Sequence, residues 1–373
     1  MPAARILEIT SYPPPRAGWG VRVSFVRAHL AALGHECRVL NIGKGRAIPS
    51  PEYDGALGGP DYLRKVIRFI RRGYAVHSHI NGDGGKGWWL ALAALLLARL
   101  WNRESVLTFH AGPYQRLFPG ERSRLSIPFL RLIFRLPRVI ICNSPAVKER
   151  IQDYGVPAAK IHPIPAFSRQ YLDYRPGELS RDLEAYLAAG VPVLFSYFFL
   201  RTEFFVPALL DALRKLAGRL PSMRVVLVGV DTLGADFQEM LRGAGLREHV
   251  WCAGDLDHDQ FLTLLSRCHF YVRTPSKDGV CSSVLEALSL GIPVIASENG
   301  HRPSSVITVP AADGEALAAA VERAWDAYPE VRAAVVKPEI EDTVGQEAEL
   351  LLALARGELA ASDLQVSSGR IGR

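Results

Sequence analysis

Nine residues, Asp278-Gly-Val-Cys-Ser-Ser-Val-Leu-Glu286, bring two carboxylates and two hydroxyls to one turn of the chain. His269 to Val272, just before them, is a short apolar run that reads as a buried strand. Val284, Leu285, Ala287, Leu288 and Leu290 follow at the spacing of one buried helical face. Gly291 ends that helix, Pro293 cannot continue it, and Val294 to Ala296 read as the next strand. Strand, loop, helix start and strand make half of a doubly wound sheet, whose ligands bind beyond the carboxyl ends of the strands. The free amides of Ser283, Val284 and Leu285 would then offer an anion site beside the positive end of the helix dipole. Carboxylates would repel a phosphate, so Asp278 and Glu286 suit neutral hydroxyls on either side of it, as a nucleotide sugar carries. A local reading is compatible with this one: Ser283 and Glu286, three apart, form a capping box.

The elements that must hold this stretch need a chain of domain size. At 373 residues, 49% hydrophobic and 22% charged, the sequence is long enough for two globular domains. The net charge of +6 is uneven: residues 1–185 hold 27 Lys+Arg against 14 Asp+Glu, and residues 186–373 hold 17 against 24. Opposite signs point to two domains with different partners. The basic half suits an anionic membrane surface or an acidic acceptor. A nucleic-acid partner is not expected, because no zinc, homeodomain or RNA-recognition signature accompanies the charge. Five cysteines with no metal-ligand spacing read as free thiols of a reducing compartment. The N-terminus opens directly on a strand, and Trp88 to Leu100 is too short to span a bilayer. The expected location is the cytoplasm, with peripheral attachment to the inner face of the cell membrane as an extension.

Along the basic half, Arg5 to Ile9 reads as a strand, and Pro13 to Pro15 bar a helix until the Gly18-Trp19-Gly20 turn. Val23, Val26, Leu30 and Leu33 then mark a helix stopped by Gly34. Val76 to Ile80 and Ser105 to His110 are buried strands. His110 ends the second, where sites form in such sheets; its alternative is a satisfied core histidine, which His77 and His79 fit better. Tyr62 to Gly73 and Arg122 to Arg138 interleave apolar residues with cations, Leu63, Val66, Ile67 and Ile70 forming the first stripe. Each is either a lipid-facing segment or a packed helix with a solvated face. Val191 to Tyr197 begins a second alternation of strands and helices, hence a second parallel sheet.

DGVCSSVLEALSLGIPVIAS resembles the donor-site signature of family 4 retaining glycosyltransferases, with Asp278 and Glu286 in its two acidic places. VLTFHAG resembles the family's strand ending in the cleft histidine, and IHPIPAF its closing strand, with Ala166-Phe167 where many members have Asn-Gly. The flanking RTPSKDG and Arg302-Pro303 resemble a subgroup acting in bacterial polysaccharide assembly. The resemblance implies an α/β fold of the GT-B class: two facing Rossmann-like domains with parallel sheets and an interdomain cleft. It divides the chain into an acceptor-side domain at 1–167, a linker at 168–190 and a nucleotide-sugar domain at 191–340. A helix at 341–356 then returns to the first domain, and 357–373 is a disordered tail.

The implied reaction moves a sugar, with retention, from a nucleoside-diphosphate sugar to a hydroxyl of a glycan, lipid-linked or small-molecule acceptor. Catalytic roles fall on His110, Asp278 and Glu286, the last on the ribose hydroxyls. Donor binding falls on Gly18, Gly20, Arg201, Leu256, Arg273, Gly279, Ser282, Ser283 and Val284. Neither a metal nor a cofactor is implied. The chain departs from the family where an Arg and a Lys, five apart, usually neutralise the diphosphate: Phe199 and Phe204 stand there. Either Arg201, with Arg273 or Arg16, supplies that charge, or the protein is a catalytically silent relative that binds a partner or a polysaccharide.

Overall fold

The computed structural model describes residues 3–13, 18–82, 85–110, 127–276 and 281–358. Arg16, Asp278, Gly279, residues 122–126 and most of the C-terminal tail therefore lie outside the described residues. The chain forms two compact units, Met1–Gln170 with Asp342–Arg373, and Tyr171–Glu341.

In the first unit the described strands are β1 (Arg5–Thr10), β2 (Glu36–Asn41), β3 (Asp54–Gly55), β4 (Ala75–Asn81), β5 (Ser105–His110), β6 (Val139–Cys142) and β7 (Ile161–Pro163). They form one parallel sheet in the order β3-β2-β1-β4-β5-β6-β7. The order reverses between β1 and β4, which opens a crevice at their carboxyl ends. Side chains alternate across the sheet. Ile6, Ala75 and Val106 pack with Val26 and Leu30 of the helix Gly18–Ala32 and with Val344 and Leu351 of the helix Thr343–Ala355. Leu7, Ile9 and Val76 share a cluster with Tyr62, Val66, Phe69 and Ile70 of the helix Gly59–Arg71.

That last set corrects the expected stripe: Tyr62 and Phe69 are buried, whereas Leu63 is exposed. In the helix Ile127–Arg135, Leu130, Ile133 and Phe134 are buried as well. Both segments spend their apolar faces on the core and show mainly cations outside, so the packed-helix reading holds over the described residues. No described helix is long and apolar enough to cross a membrane.

The second unit holds β8 (Val193–Tyr197), β9 (Arg224–Val228), β10 (Val250–Gly254), β11 (Phe270–Arg273), β12 (Val294–Ser297) and β13 (Ile307–Val309). This sheet is also parallel, in the order β10-β9-β8-β11-β12-β13, with its reversal between β8 and β11. The polar stretch at 168–190 is not bare linker. It contains the helix Arg181–Ala188, capped by Ser180, whose Leu183 and Leu187 are buried against the second sheet's core.

A buried ion pair fastens the helix Thr343–Ala355 to the first unit. Arg22 Nε lies 2.6 Å from Glu347 Oε2, with both side chains almost fully enclosed. The same guanidinium donates to the carbonyls of Ala166 and Thr343 and to Thr343 Oγ1. Removing one partner strands the other charge, which costs about 3–5 kcal/mol. Glu347→Ala should therefore lower the first unit's unfolding transition by roughly that much in a denaturant titration. Joint replacement, Arg22→Met with Glu347→Leu, should recover most of the loss.

Candidate active site

In the second unit the side chains gather at the carboxyl ends of β8 and β11, where the strand order reverses. Arg273, the last residue of β11, is 7% exposed and donates from Nη1 to the Tyr197 carbonyl, at the end of β8, at 2.9 Å. Its guanidinium lies 5.0 Å from the ring centroid of Phe204. Phe204 meets Phe199 edge to face at 5.7 Å, and both pack on the core around Phe198, Val206 and Leu209. Arg201 stands outside them, 5.1 Å from the Phe199 centroid and 3.8 Å from Glu203. The two rings standing where the resemblance places cations are thus each covered by an arginine, Arg273 on Phe204 and Arg201, with Glu203 beside it, on Phe199.

The helix Ser282–Ser289 starts two residues earlier than a capping box of Ser283 with Glu286 requires. Cys281 is its N-cap and makes no side-chain cap. Ser283 Oγ instead bonds Tyr271 Oη at 2.6 Å and lies 3.1 Å from Cys281 Sγ. The expected Ser283–Glu286 box is therefore absent. The expected amide set shifts too: Val284 and Leu285 donate to the Cys281 carbonyl. Among the described residues the amides of Ser282 and Ser283 are left open. Val284, Ala287 and Leu288 anchor the helix in the core beside β11 and β12.

Glu286 is carried down by that helix to 4% exposure. Its Oε1 lies 3.1 Å from His258 Nε2, and no other hydrogen bond reaches it among the described residues. A buried carboxylate with spare lone pairs suits hydroxyl donors. His258 opens the helix His258–Ser266, which Asp257 caps, and its ring meets Tyr171 edge-on at 5.9 Å. His258 was not among the residues expected at the site; its signal in the sequence is an Asp-His pair at a helix start shortly after a strand. Leu256, half-buried, packs on the same core between β10 and that helix.

In the first unit the corresponding groups line β1, β4 and β5. Glu8, His77, His79, Thr108 and His110 share the sheet face of Ile6 and Val106 by alternation. Glu8 Oε2 lies 2.7 Å from His79 Nε2 and 2.9 Å from His77 Nδ1. His77 Nε2 lies 2.7 Å from Thr108 Oγ1, and His79 Nδ1 lies 2.8 Å from His110 Nε2. His77 and His79, expected as packing residues, are therefore members of a polar chain that ends on His110.

Burial pushes the Glu8 carboxyl up, but the charge and hydrogen bond of His77, with those of His79, win and bring it down to about 2. Burial opposes charge on His77 too, and Glu8 overcomes it, so His77 holds its proton above the ordinary imidazole range. Burial, with the charge of His77, lowers His79. Burial, with His79 and Arg22, carries His110 well below the usual range. An ionised Glu8 accepts from His79 Nε2–H, which leaves His79 Nδ1 as an acceptor for His110 Nε2–H. His110 consequently offers a bare Nδ1, an acceptor for a hydroxyl. The Glu8, His77 and His79 ligand atoms lie within 4.8 Å of one another, a spacing that admits a metal ion only if these bonds are given up.

Two further expectations fall on the helix Gly18–Ala32. A Cβ on Gly20 would come within 2.7 Å of the Ser11 carbonyl, so glycine there lets the helix close on the loop after β1. Gly18 begins the helix. Trp19, between them, lies 5.0 Å from His110, ring to ring.

Residues 17–167 match the Glycosyltransferase Family 4 domain, and residues 186–331 match Glycosyl transferases group 1. The chain is 23% identical over 285 residues to the alpha-D-kanosaminyltransferase of Streptomyces kanamyceticus, covering 72% of each. It superposes on Anabaena Alr3699/HepE in complex with UDP and glucose with a TM-score of 0.66, at 14% identity over 95% of this chain and 98% of that one. A UDP-N-acetylglucosamine 2-epimerase superposes equally well, TM-score 0.66 at 12% identity over 96% and 98%. The fold therefore does not separate transfer from epimerisation, whereas the two domain matches do. Together with the two parallel Rossmann-like units they make the chain a member of the GT-B glycosyltransferases, with a family 4 domain followed by a group 1 domain.

Proposed function

We propose that the protein is a retaining, metal-independent glycosyltransferase that moves a sugar from a nucleoside-diphosphate sugar to a hydroxyl of a glycan, lipid-linked or small-molecule acceptor. The observation that carries this is Glu286, a buried carboxylate with spare acceptor capacity four residues into a helix whose first amides are open. The amides of Ser282 and Ser283, with Arg273 and Arg201, take the charge that develops on the departing diphosphate. Glu286 accepts from the ribose hydroxyls, and Asp278 is assigned the sugar hydroxyls. As the bond from anomeric carbon to phosphate oxygen breaks, the acceptor oxygen bonds that carbon from the same face. Its proton passes to the departing phosphate oxygen. His110, kept neutral, orients the transferred sugar through Nδ1. An anionic membrane, as a further partner, would be attracted by charge rather than by an inserted apolar face.

One observation favours the silent alternative: Phe199 and Phe204 occupy the places of the usual cations. The arginines covering those rings decide between the readings. Arg201→Ala and Arg273→Ala should each weaken UDP or GDP at least tenfold while leaving uridine or guanosine within about twofold, since only the diphosphate carries the charge. Calorimetry on both ligand pairs measures this. Equal losses for nucleoside and nucleotide would mean a disturbed loop, and no nucleotide binding by the unaltered protein would favour the silent reading.

Glu286→Gln should cut nucleoside-diphosphate affinity at least tenfold, because each charge-assisted hydrogen bond contributes about 1.5–3 kcal/mol. With no capping box to lose, its melting temperature without ligand should stay close to that of the unaltered protein. Wild-type nucleotide affinity and transfer in this variant would remove the donor site from this helix.

The histidine chain sets a pH dependence. Below the ordinary imidazole value the unfolded chain binds protons that His79 and His110 refuse when folded, so stability falls as pH drops through that range. Glu8 adds a second loss between its unfolded value of 4.5 and about 2. His77 acts in the other sense, its contribution being lost as pH rises through its raised folded value. Glu8→Gln should bring the His77 titration below that of a free imidazole, read by nitrogen-detected NMR, and should lower kcat more than it raises KM. An unmoved His77 titration would break the proposed chain.

A further inference from the structure

The reversal between β1 and β4 opens on a pocket of about 720 Å³ within the first unit, the size of a small-ligand site. Thr10 and Ser11 after β1, and His79 and Asn81 of β4, form its floor. Tyr62 Oη donates to the Leu90 carbonyl at 2.7 Å, tying together the helices Gly59–Arg71 and Lys86–Leu100 that wall it.

Its lining is asymmetric in charge. Among the described residues Arg46 and Lys86 line it, and no Asp or Glu does. Neither cation pairs with a carboxylate among the described residues; Arg46 donates only to the Gly43 carbonyl, at 3.0 Å. Arg46 is held at the rim because the short strand β3 runs against its backbone: a Cβ on Gly55 would meet the Arg46 carbonyl at 1.7 Å. Both walling helices begin at the pocket behind glycine N-caps, Gly58 and Gly85, which provide no side-chain cap. The acidic residue of the first turn, Asp61, is engaged by Lys65, Arg64 and the Leu57 amide. The field inside therefore favours an anion.

The other half of the lining is aromatic. Trp89 is 66% exposed, a large apolar face left in water at the pocket, and is backed by Phe129 at 4.8 Å. The indole N–H of Trp19 is buried and has no acceptor among the described residues. Such a flat ring suits the C–H face of a sugar, and an unpaired donor suits one of its oxygens.

We infer that this pocket is the acceptor site, and that the acceptor is a sugar bearing an anionic group, a phosphate or a carboxylate, rather than a neutral glycan end. The inference rests on the transferase reading and names the substrate class for it. The anion lies between Lys86, Arg46 and the open helix starts, and the ring lies on Trp89. His79, which lines the pocket and bonds His110, places the bound acceptor beside the histidine chain.

The test is calorimetric titration of the full chain with glucose 1-phosphate, glucuronate, glucose and inorganic phosphate, UDP being titrated separately. The expected result is that one or both anionic sugars bind at least tenfold tighter than glucose, and tighter than inorganic phosphate. Glucose 1-phosphate alone showing the gain identifies a phosphorylated acceptor, and glucuronate alone an acidic sugar. Joint Arg46→Gln and Lys86→Gln, both exposed side chains, should erase that preference with UDP affinity and melting temperature unchanged. Trp89→Ala should weaken the sugars and leave inorganic phosphate as it was. Glucose binding as tightly as the anionic sugars, no gain for either of them, or a preference that survives the double replacement would overturn the inference. Failure of UDP to bind, with the anionic preference intact, would instead count against the donor site and leave this pocket standing.

Discussion

A carboxylate with no exposure at all sits on β1, an inner strand of the first sheet, and that fact constrains everything around it. Glu8 cannot stay ionised there unless neighbours supply protons, and it cannot take a proton without giving up the bonds it accepts. Two imidazoles on the adjacent strand meet the demand, and each answers differently. His77 carries the counter-charge and hands its second N–H to Thr108. His79 stays neutral and relays direction rather than charge, since one committed nitrogen dictates what the other must do. The face of a parallel sheet, ordinarily apolar, thus becomes a rigid ruler that fixes a tautomer on β5 from a charge on β1.

The second unit seats positive charge on aromatic rings: Arg273 lies over Phe204, and Arg201, 3.8 Å from Glu203, lies over Phe199. Stacking on an aromatic face orients a guanidinium without offsetting its charge. Phe204 and Phe199 do this while also filling the core beneath, so the same rings serve packing and electrostatics. Arg273 gains a further anchor from the Tyr197 carbonyl, which ties the cation to both strands at the sheet's reversal.

The parallel strands were legible because buried runs such as VHSHI, SVLTFH and VLFSY leave few alternatives, and their parallel pairing follows from alternation with helices. Less of the site could be read. His77 and His79 lie two apart on a strand, so they face the same way, but nothing local reveals that Glu8 faces them from a strand almost seventy residues earlier. The capping box failed because the helix boundary moved by two residues, which is within what side-chain packing of Val284 and Leu288 can impose over local preference. The stripe on the helix Gly59–Arg71 is rotated from the aliphatic spacing because the rings of Tyr62 and Phe69 take core places, Tyr62 Oη finding an acceptor in the Leu90 carbonyl, while Leu63 is exposed. Phe199 and Phe204 looked like losses in the sequence, since a ring's capacity to seat an arginine depends on its neighbours in space.

The helix Thr343–Ala355 belongs to the same unit as β1, yet nearly the whole second unit is synthesised between them. On the ribosome, Arg22 has no Glu347 to meet until the whole second unit has been made, and the sheet face around Val26 and Leu30 stays uncovered with it. The second unit, contiguous in the chain, has no such wait. Closure of the first unit therefore depends on synthesis of the second, and not the reverse.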